Sequence, residues 1–327
     1  MAGLTLYLEV GSNSTYDILP EYIEEIVGDV KLQRSLKIAI DCGNGVAGPT
    51  AQTLFSRLGC EVTSLYCDID GNFPNHHPNP SEPENLEDLI DCVKKNQLDL
   101  GLAFDGDGDR VGVIDEQGQV LWADRQMMLY ARDVLSRNAG ADIIFDVKSS
   151  RNLAEVIRDA GGKPMMWKTG HSFIKSKMAE TGALLAGEMS GHIFFKERWY
   201  GFDDGLYSAA RLLEILAKQS QSSSAVFAEL PNMFSTPEIT IHLDRDGAQH
   251  VFMQKFSAQA SFAGAELATI DGVRADFEFG WGLVRASNTT PSLVIRFEAN
   301  KEEQLTQLKT LFREQILAVD PNVSLPF

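Results

Sequence analysis

Three carboxylates occupy alternate positions in the segment DGDGDR, as Asp105, Asp107 and Asp109, and Arg110 follows at once. Spaced at i, i+2 and i+4 with glycine between them, they can turn three oxygens toward one centre. That arrangement suits a hard divalent cation such as Mg²⁺, which takes oxygen ligands in near-octahedral geometry. The glycines allow the backbone to curl without steric penalty. Three other readings compete. A bare acidic turn fits poorly, because carboxylates this close repel unless a cation sits among them. An EF-hand count puts Glu116 at position twelve, but position six is Arg110 and not Gly, and the flanks read as strands. A phosphatase with an Asp nucleophile would use D-x-D after an apolar strand, yet Asp109 then stands where such enzymes carry Thr or Val. The residues favour a Mg²⁺ loop that holds a phosphate.

Two further segments carry polar groups in useful patterns. In GEMSGH (187–192), Glu188 and Ser190 leave a strand on alternate positions and project to one side, with His192 closing the segment. A carboxylate beside a hydroxyl can bind two neighbouring sugar hydroxyls, although a strand-connecting turn would also look like this. RASNTTP (285–291) gathers Arg285, Ser287, Asn288, Thr289 and Thr290 in one short loop. That is a good oxyanion cradle, with a Ser/Thr-rich turn before SLVIRF as the alternative. Lys148 follows an apolar strand, where ligands of open α/β sheets bind. His171, in KTGHS, sits at an apparent helix start, and Lys168 and Arg151 flank neighbouring strands. His76 and His77, in a Pro-rich loop, read as structural.

The elements that must position these residues alternate. LKIAID (36–41), CEVTSLYC (60–67), DLGLAF (99–104) and VGVID (111–115) are short apolar strands separated by helices over 17–30, 48–58 and 83–96. A second run has a helix over 125–137, strand ADIIFDV and a helix from Ser150. Strand KPMMWK, a helix after Gly170, strands GALLAGE and HIFFKE and a helix over 204–218 complete it. Such alternation indicates βαβ units and largely parallel sheets. The polar stretch KQSQSSSA (218–225) and the segment between Pro231 and Pro237 read as a hinge. Beyond them come alternating strands between helices over 245–262 and 301–318. The fold class is therefore α/β: consecutive α/β mixed-sheet domains over 17–119 and 120–231, then an α+β domain over 232–327.

With 29 Lys+Arg against 46 Asp+Glu, the formal charge of −17 argues against a nucleic-acid partner, whose usual footprint is basic. It leaves phosphorylated small molecules open, since a pocket can carry a field opposite to the net charge. The four cysteines include no C-x-x-C pair, so they read as free thiols in a reducing compartment and not as a zinc site. The absence of a cationic leader and of any long apolar stretch points to a cytoplasmic protein without a membrane partner.

Taken in order, DGDGDR, KTGHS, GEMSGH and RASNTTP resemble the metal, middle-domain, sugar and phosphate loops of the α-D-phosphohexomutases. GNFPNHHPNP, DIIFDVK and FFKERWYGFDDG are similar to the bacterial phosphomannomutase/phosphoglucomutase branch, and the resemblance covers roughly residues 17–327. It implies domains around a central cleft and reversible conversion of hexose 1-phosphates and 6-phosphates through a hexose 1,6-bisphosphate, with mannose and glucose phosphates as partners. It also implies that Asp105, Asp107 and Asp109 bind Mg²⁺ while Arg110 lies beside a phosphoserine. Glu188, Ser190 and His192 would hold the sugar. Arg285, Ser287, Asn288 and Thr289 would grip the non-reacting phosphate, with Lys148 and His171 near the reacting end. The family's phosphoserine loop, T-x-S-H-N-P, does not occur in this sequence. The expectation is a chain lacking that first domain, with residues 1–16 an irregular remnant of it and no turnover by this chain alone. A hexose-phosphate-binding protein without chemistry is the alternative.

Overall fold

The computed structural model describes residues 13–327, so most of the leader expected over 1–16 lies outside the described residues. Three sheets follow one another along the chain, of five, four and six strands. The first is built from α1 (Leu19–Asp29), β1 (Lys37–Asp41), α2 (Gly48–Arg57), β2 (Glu61–Leu65), α3 (Glu87–Asn96), β3 (Leu100–Phe104), β4 (Val111–Asp115) and β5 (Val120–Leu121). Its order is β2-β1-β3-β4-β5. β1 runs parallel to β2 and β3, whereas β4 and β5 are antiparallel, so only part of the sheet is parallel. Helices cover both faces, which is why β3 is apolar along its whole length. Ile38, Ile40, Leu100 and Leu102 pack in one cluster with Leu54 and Phe55 of α2, while Ala39 and Ala103 pack with Leu89 and Val93 of α3.

The second unit contains α4 (Ala123–Arg137), β6 (Asp142–Asp146), α5 (Arg151–Asp159), β7 (Lys163–Trp167), α6 (His171–Thr181), β8 (Leu185–Gly187), β9 (Ile193–Phe195), α7 (Gly205–Ala217) and α8 (Ser223–Ala228). Strand order is β7-β6-β8-β9, with β9 antiparallel. α7 is buried along its full length, and its leucines share one apolar cluster with α1, β1 and α4. The stretch expected to be a hinge instead folds in part as α8. Ser222 caps that helix by accepting the Ala225 N–H at 3.3 Å, which is what a serine before a short apolar run does well.

The third unit is antiparallel: β10 (Phe234–Ser235), β11 (Ile239–His242), α9 (Ala248–Gln259), β12 (Glu266–Ala268), β13 (Val273–Phe277), β14 (Gly280–Ala286), β15 (Ser292–Ala299) and α10 (Glu302–Val319). β11 and β10 both pair with β15. Phe252, Phe256, Phe297, Phe312 and Ile316 form its core between sheet and helices. Trp281 and Leu283 instead pack with Val147 of the second unit. The chain is thus the expected succession of α/β units with mixed sheets and a closing α+β unit.

Candidate active site

β3 and β4 are adjacent antiparallel strands, and residues 105–110 close the turn between them. Asp105, 2% exposed, is fixed from several sides: Oδ1 accepts the Gly108 and Arg110 N–H groups at 3.1 Å each, and Oδ2 accepts Arg110 Nε at 2.6 Å. Arg110 also donates from Nη1 to Asn79 at 3.2 Å, which brings the Pro/Asn/His loop to the site. One oxygen each from Asp105, Asp107 and Asp109 lies within 4.8 Å of the others. Burial, and then the neighbouring Asp105 charge, raise the Asp107 carboxyl above its usual range. Asp109 Oδ1 is buried and faces His192 Nε2 at 3.4 Å without a well-formed hydrogen bond. Three converging carboxylates and their crowded negative charge fit a hard divalent cation. Glu116 faces elsewhere, accepting Ser223 Oγ at 2.6 Å and the Ser224 N–H at 2.8 Å, so it does not complete an EF-hand.

The segment after β8 is stitched to this loop. Arg110 and His192 form an antiparallel backbone bridge, and the Gly205 N–H at the start of α7 donates to the Gly108 carbonyl at 3.1 Å. A Cβ on Gly205 would lie 2.8 Å from the Gly108 and Arg110 carbonyl oxygens, so only glycine permits this approach. Glu188, 2% exposed, accepts the Gly170 N–H and stands 3.2 Å from His192 Nδ1. Ser190 Oγ lies 2.9 Å from the same nitrogen, and His192 Nε2 lies 3.4 Å from Asp109. Burial works against a charged His192, but the Asp109 and Glu188 carboxylates outweigh it and raise its pKa to about 9. The His171 ring stacks beside His192 with centroids 6.0 Å apart, and its Nδ1 is 3.7 Å from Asp203. Asp203, which also takes Lys175 at 2.9 Å, went unnoticed in the sequence. The paired aspartates of GFDDG were the available signal.

Lys148, 5% exposed, follows β6 and donates to Glu238 of the third unit at 2.7 Å. It lines a cavity of about 540 Å³ together with Arg110, Met189, Ser190, Glu238 and Arg296. Arg296 is a second group that sequence reasoning missed, since it reads as a polar position in an otherwise apolar strand.

Near the end of β14, Arg285 is 3% exposed and donates from Nε to Asp271 at 3.0 Å, leaving Nη2 buried and unpartnered. Ser287 Oγ accepts the Thr289 N–H at 3.3 Å, the Thr290 N–H at 3.2 Å and the Thr290 hydroxyl at 3.0 Å. Asn288 donates to the Thr169 carbonyl at 3.1 Å, while the Thr169 N–H donates to Asp271 at 3.0 Å. The backbone just before His171 is therefore held by the third unit at Thr169 and by Glu188 at Gly170.

Three family models match: phosphoglucomutase/phosphomannomutase alpha/beta/alpha domain II over residues 20–118, domain III over 122–234, and the C-terminal domain over 242–315. The chain belongs to the phosphoglucomutase/phosphomannomutase family. It is 58% identical over 322 residues to a phosphomannomutase/phosphoglucomutase of Pseudomonas putida, covering 98% of this chain and 69% of the relative. A phosphoglucomutase of Neisseria meningitidis is 54% identical over 317 residues, 97% of this chain and 68% of its own length. The crystal structure of a phosphoglucomutase/phosphomannomutase family protein from Burkholderia thailandensis superposes with a TM-score of 0.92 at 55% identity, over 97% of this chain and 68% of that one. Mutases of this family are isomerases. Among the described residues, no helix is long and apolar enough to cross a membrane.

Proposed function

We propose that these 327 residues form the metal-, sugar- and phosphate-binding part of a phosphohexomutase. That enzyme interconverts hexose 1-phosphates and 6-phosphates of mannose and glucose through a hexose 1,6-bisphosphate. Residues 17–119, 120–231 and 232–327 act as three domains, each built on one sheet. The observation that carries the reading is the Thr169–His171 segment, which Asn288 of the phosphate loop and Asp271 between β12 and β13 grip on one side and Glu188 grips from the sugar loop. One ligand with a phosphate at one end and hydroxyls at the other can engage both loops.

Arg285, with a buried unpartnered Nη2, offers its free donor to the non-reacting phosphate, and Ser287, Asn288 and Thr289 shape the cradle around it. Glu188 and Ser190 accept and donate to sugar hydroxyls, with His192 orienting Ser190. Asp105, Asp107 and Asp109 would hold Mg²⁺, whose charge stabilises the phosphoryl group in transfer. Arg110 and Lys148 supply positive charge, and His171 a hydrogen-bonding ring nitrogen, at the reacting end. Lys148 gives one of its three donors to Glu238, which leaves two for a ligand. An aspartyl-phosphate route is opposed by Asp105, whose two oxygens already accept three hydrogen bonds.

The family route passes the phosphoryl group through a serine in T-x-S-H-N-P, and the sequence of this chain holds no such segment. The chain alone then binds hexose phosphates and does not turn them over. The test is a mutase assay on mannose 1-phosphate and glucose 1-phosphate with Mg²⁺ and a trace of glucose 1,6-bisphosphate, beside calorimetric titration with glucose 6-phosphate. Binding without turnover is expected. Turnover that Asp107→Asn abolishes would show that a residue of this chain carries the phosphoryl group, and would overturn the account of the serine.

A further inference from the structure

Two of the four cysteines lie side by side in the first unit. Cys42 follows β1, Cys67 follows the neighbouring parallel strand β2, and their sulfurs are 3.6 Å apart. The backbone ladder continues past both strand ends: the Cys42 N–H donates to the Leu65 carbonyl at 3.2 Å and the Asn44 N–H to Tyr66 at 2.8 Å. Cys42 is fully buried, whereas Cys67 is partly exposed. Both thiols are free, and neither has a part in the site described above.

We propose that Cys42 and Cys67 form an oxidisable dithiol, Cys67 attacking and Cys42 resolving, whose closure to a disulfide strains the turn supporting the Asp105 loop. Burial and the neighbouring thiol fit the assignment of roles. The hydrogen bond between the sulfurs lowers the Cys67 pKa, whereas that same bond and burial raise Cys42. The more accessible of the two thiols, Cys67, meets the oxidant first. With a peroxide as oxidant, the Cys67 thiolate attacks one oxygen, an S–O bond forms, the O–O bond breaks, and the departing hydroxide leaves as water after taking a proton. The Cys42 sulfur then attacks the sulfenic sulfur of Cys67. The S–S bond forms, the S–O bond breaks, and the hydroxyl leaves as water with the Cys42 proton. Two thiols lose two electrons and two protons, and the peroxide is reduced to two waters.

The sulfurs must close from 3.6 Å to about 2.05 Å, and neither chain segment is free to follow at no cost. The turn after Cys42 leads directly to Val46, whose N–H donates to the Gly106 carbonyl inside the DGDGDR loop at 3.0 Å. On the other side, the Cys67 carbonyl abuts the first residue of α2: a Cβ on Gly48 would fall 2.0 Å from it. Movement of either cysteine therefore reaches the Asp105 loop or the helix behind it. The coupling to metal rests on the metal reading above, and the formation of the disulfide does not.

The test treats the reduced chain with hydrogen peroxide, maps thiols by peptide mass spectrometry, and titrates Mn²⁺ as the metal probe before and after. A Cys42–Cys67 disulfide is expected to form in preference to modification of Cys60 and Cys92. Mn²⁺ affinity should then fall by about tenfold, the lower end of what disturbing an outer-shell partner of a metal site costs, and recover on reduction. Cys67→Ser should be insensitive to peroxide in both readouts, while Cys42→Ala should stop at the sulfenic acid, trapped by a dimedone-type reagent. Peroxide that leaves Cys42 and Cys67 reduced while Cys92 reacts overturns the dithiol. A disulfide that forms with Mn²⁺ affinity unchanged overturns its link to the loop. Failure of the reduced chain to bind Mn²⁺ overturns the metal reading instead, and the mass map still judges the disulfide.

Discussion

Asp271 accepts hydrogen bonds from Arg285 and from the Thr169 backbone with the same oxygen, each at 3.0 Å. It thereby aims a buried guanidinium and ties it to the segment that carries His171. Asp271→Asn removes the charge that orients Arg285, and glucose 6-phosphate should bind about tenfold more weakly, equivalent to about 1.4 kcal/mol. Calorimetry reads that change, and hydrogen exchange should report a faster Thr169 amide in the same variant. Unchanged affinity would mean that Arg285 is positioned by its burial alone. At the Asp105 loop, Asp107→Asn takes away a proposed direct ligand. Mn²⁺ affinity should drop by more than the roughly 10–100-fold that losing an outer-shell partner costs. These two aspartates also mark what could be read from the sequence. Asp107 was legible because its partners are two residues to either side. Asp271 was not, because one of its partners lies 102 positions away and a single aspartate after an apolar stretch carries no signal.

Among the elements, α8 shows how a polar string can be misread. Its serines looked like a linker, yet Ser222 caps the helix while Ser223 and Ser224 bind Glu116 from the turn between β4 and β5. Burial works to raise the Glu116 pKa, but those hydroxyls and the Ser224 N–H outweigh it and hold the carboxyl at about 2, against an ordinary 4.5. A depressed carboxyl pKa stabilises the folded state fully above the unfolded value and loses that contribution as pH falls through the folded one. The docking of α8 should therefore weaken between about pH 4.5 and pH 2. Hydrogen exchange over residues 222–229 should speed up in that window, and Glu116→Gln should flatten the dependence. An identical profile in the variant would mean that another carboxylate anchors the helix. The strands and long helices were legible because their apolar periodicity is local: the helix expected over 301–318 runs over Glu302–Val319. The antiparallel direction of β4 is written in loop length and not in apolar alternation, since the six residues of the DGDGDR loop are too few for a parallel crossover.

Across the whole molecule, the chain carries a net charge of −17 but concentrates arginine where its second and third units meet. Arg274 donates to the Val147 and Ser149 carbonyls at 2.8 Å each and lies 3.8 Å from the centroid of the buried Trp281 ring. Arg151 reaches the other way, to the Phe277 carbonyl at 2.8 Å. Arg296 donates to the Lys148 carbonyl and pairs with Asp124 at 3.2 Å, both side chains nearly inaccessible. Neutral carbonyls cannot balance a buried guanidinium alone, so Asp124 supplies the compensating charge. Asp124→Asn leaves Arg296 unpaired and should cost about 3–5 kcal/mol, whereas Asp124→Leu combined with Arg296→Met should lose much less. Urea unfolding in a background with Trp122, Trp167 and Trp199 replaced by Phe, followed by Trp281 fluorescence and by circular dichroism, separates two mechanisms. Non-coincident transitions in Asp124→Asn would show that the third unit detaches first, because Trp281 sits in that contact. A coincident shift of both signals would show that the units unfold together even with the pair broken. Because Arg296 and Lys148 line one cavity, detachment should also weaken glucose 6-phosphate binding, and the double variant separates the causes. Restored stability with binding still lost would make Arg296 itself a ligand contact, whereas recovery of both would leave it as the tie that keeps the cleft assembled.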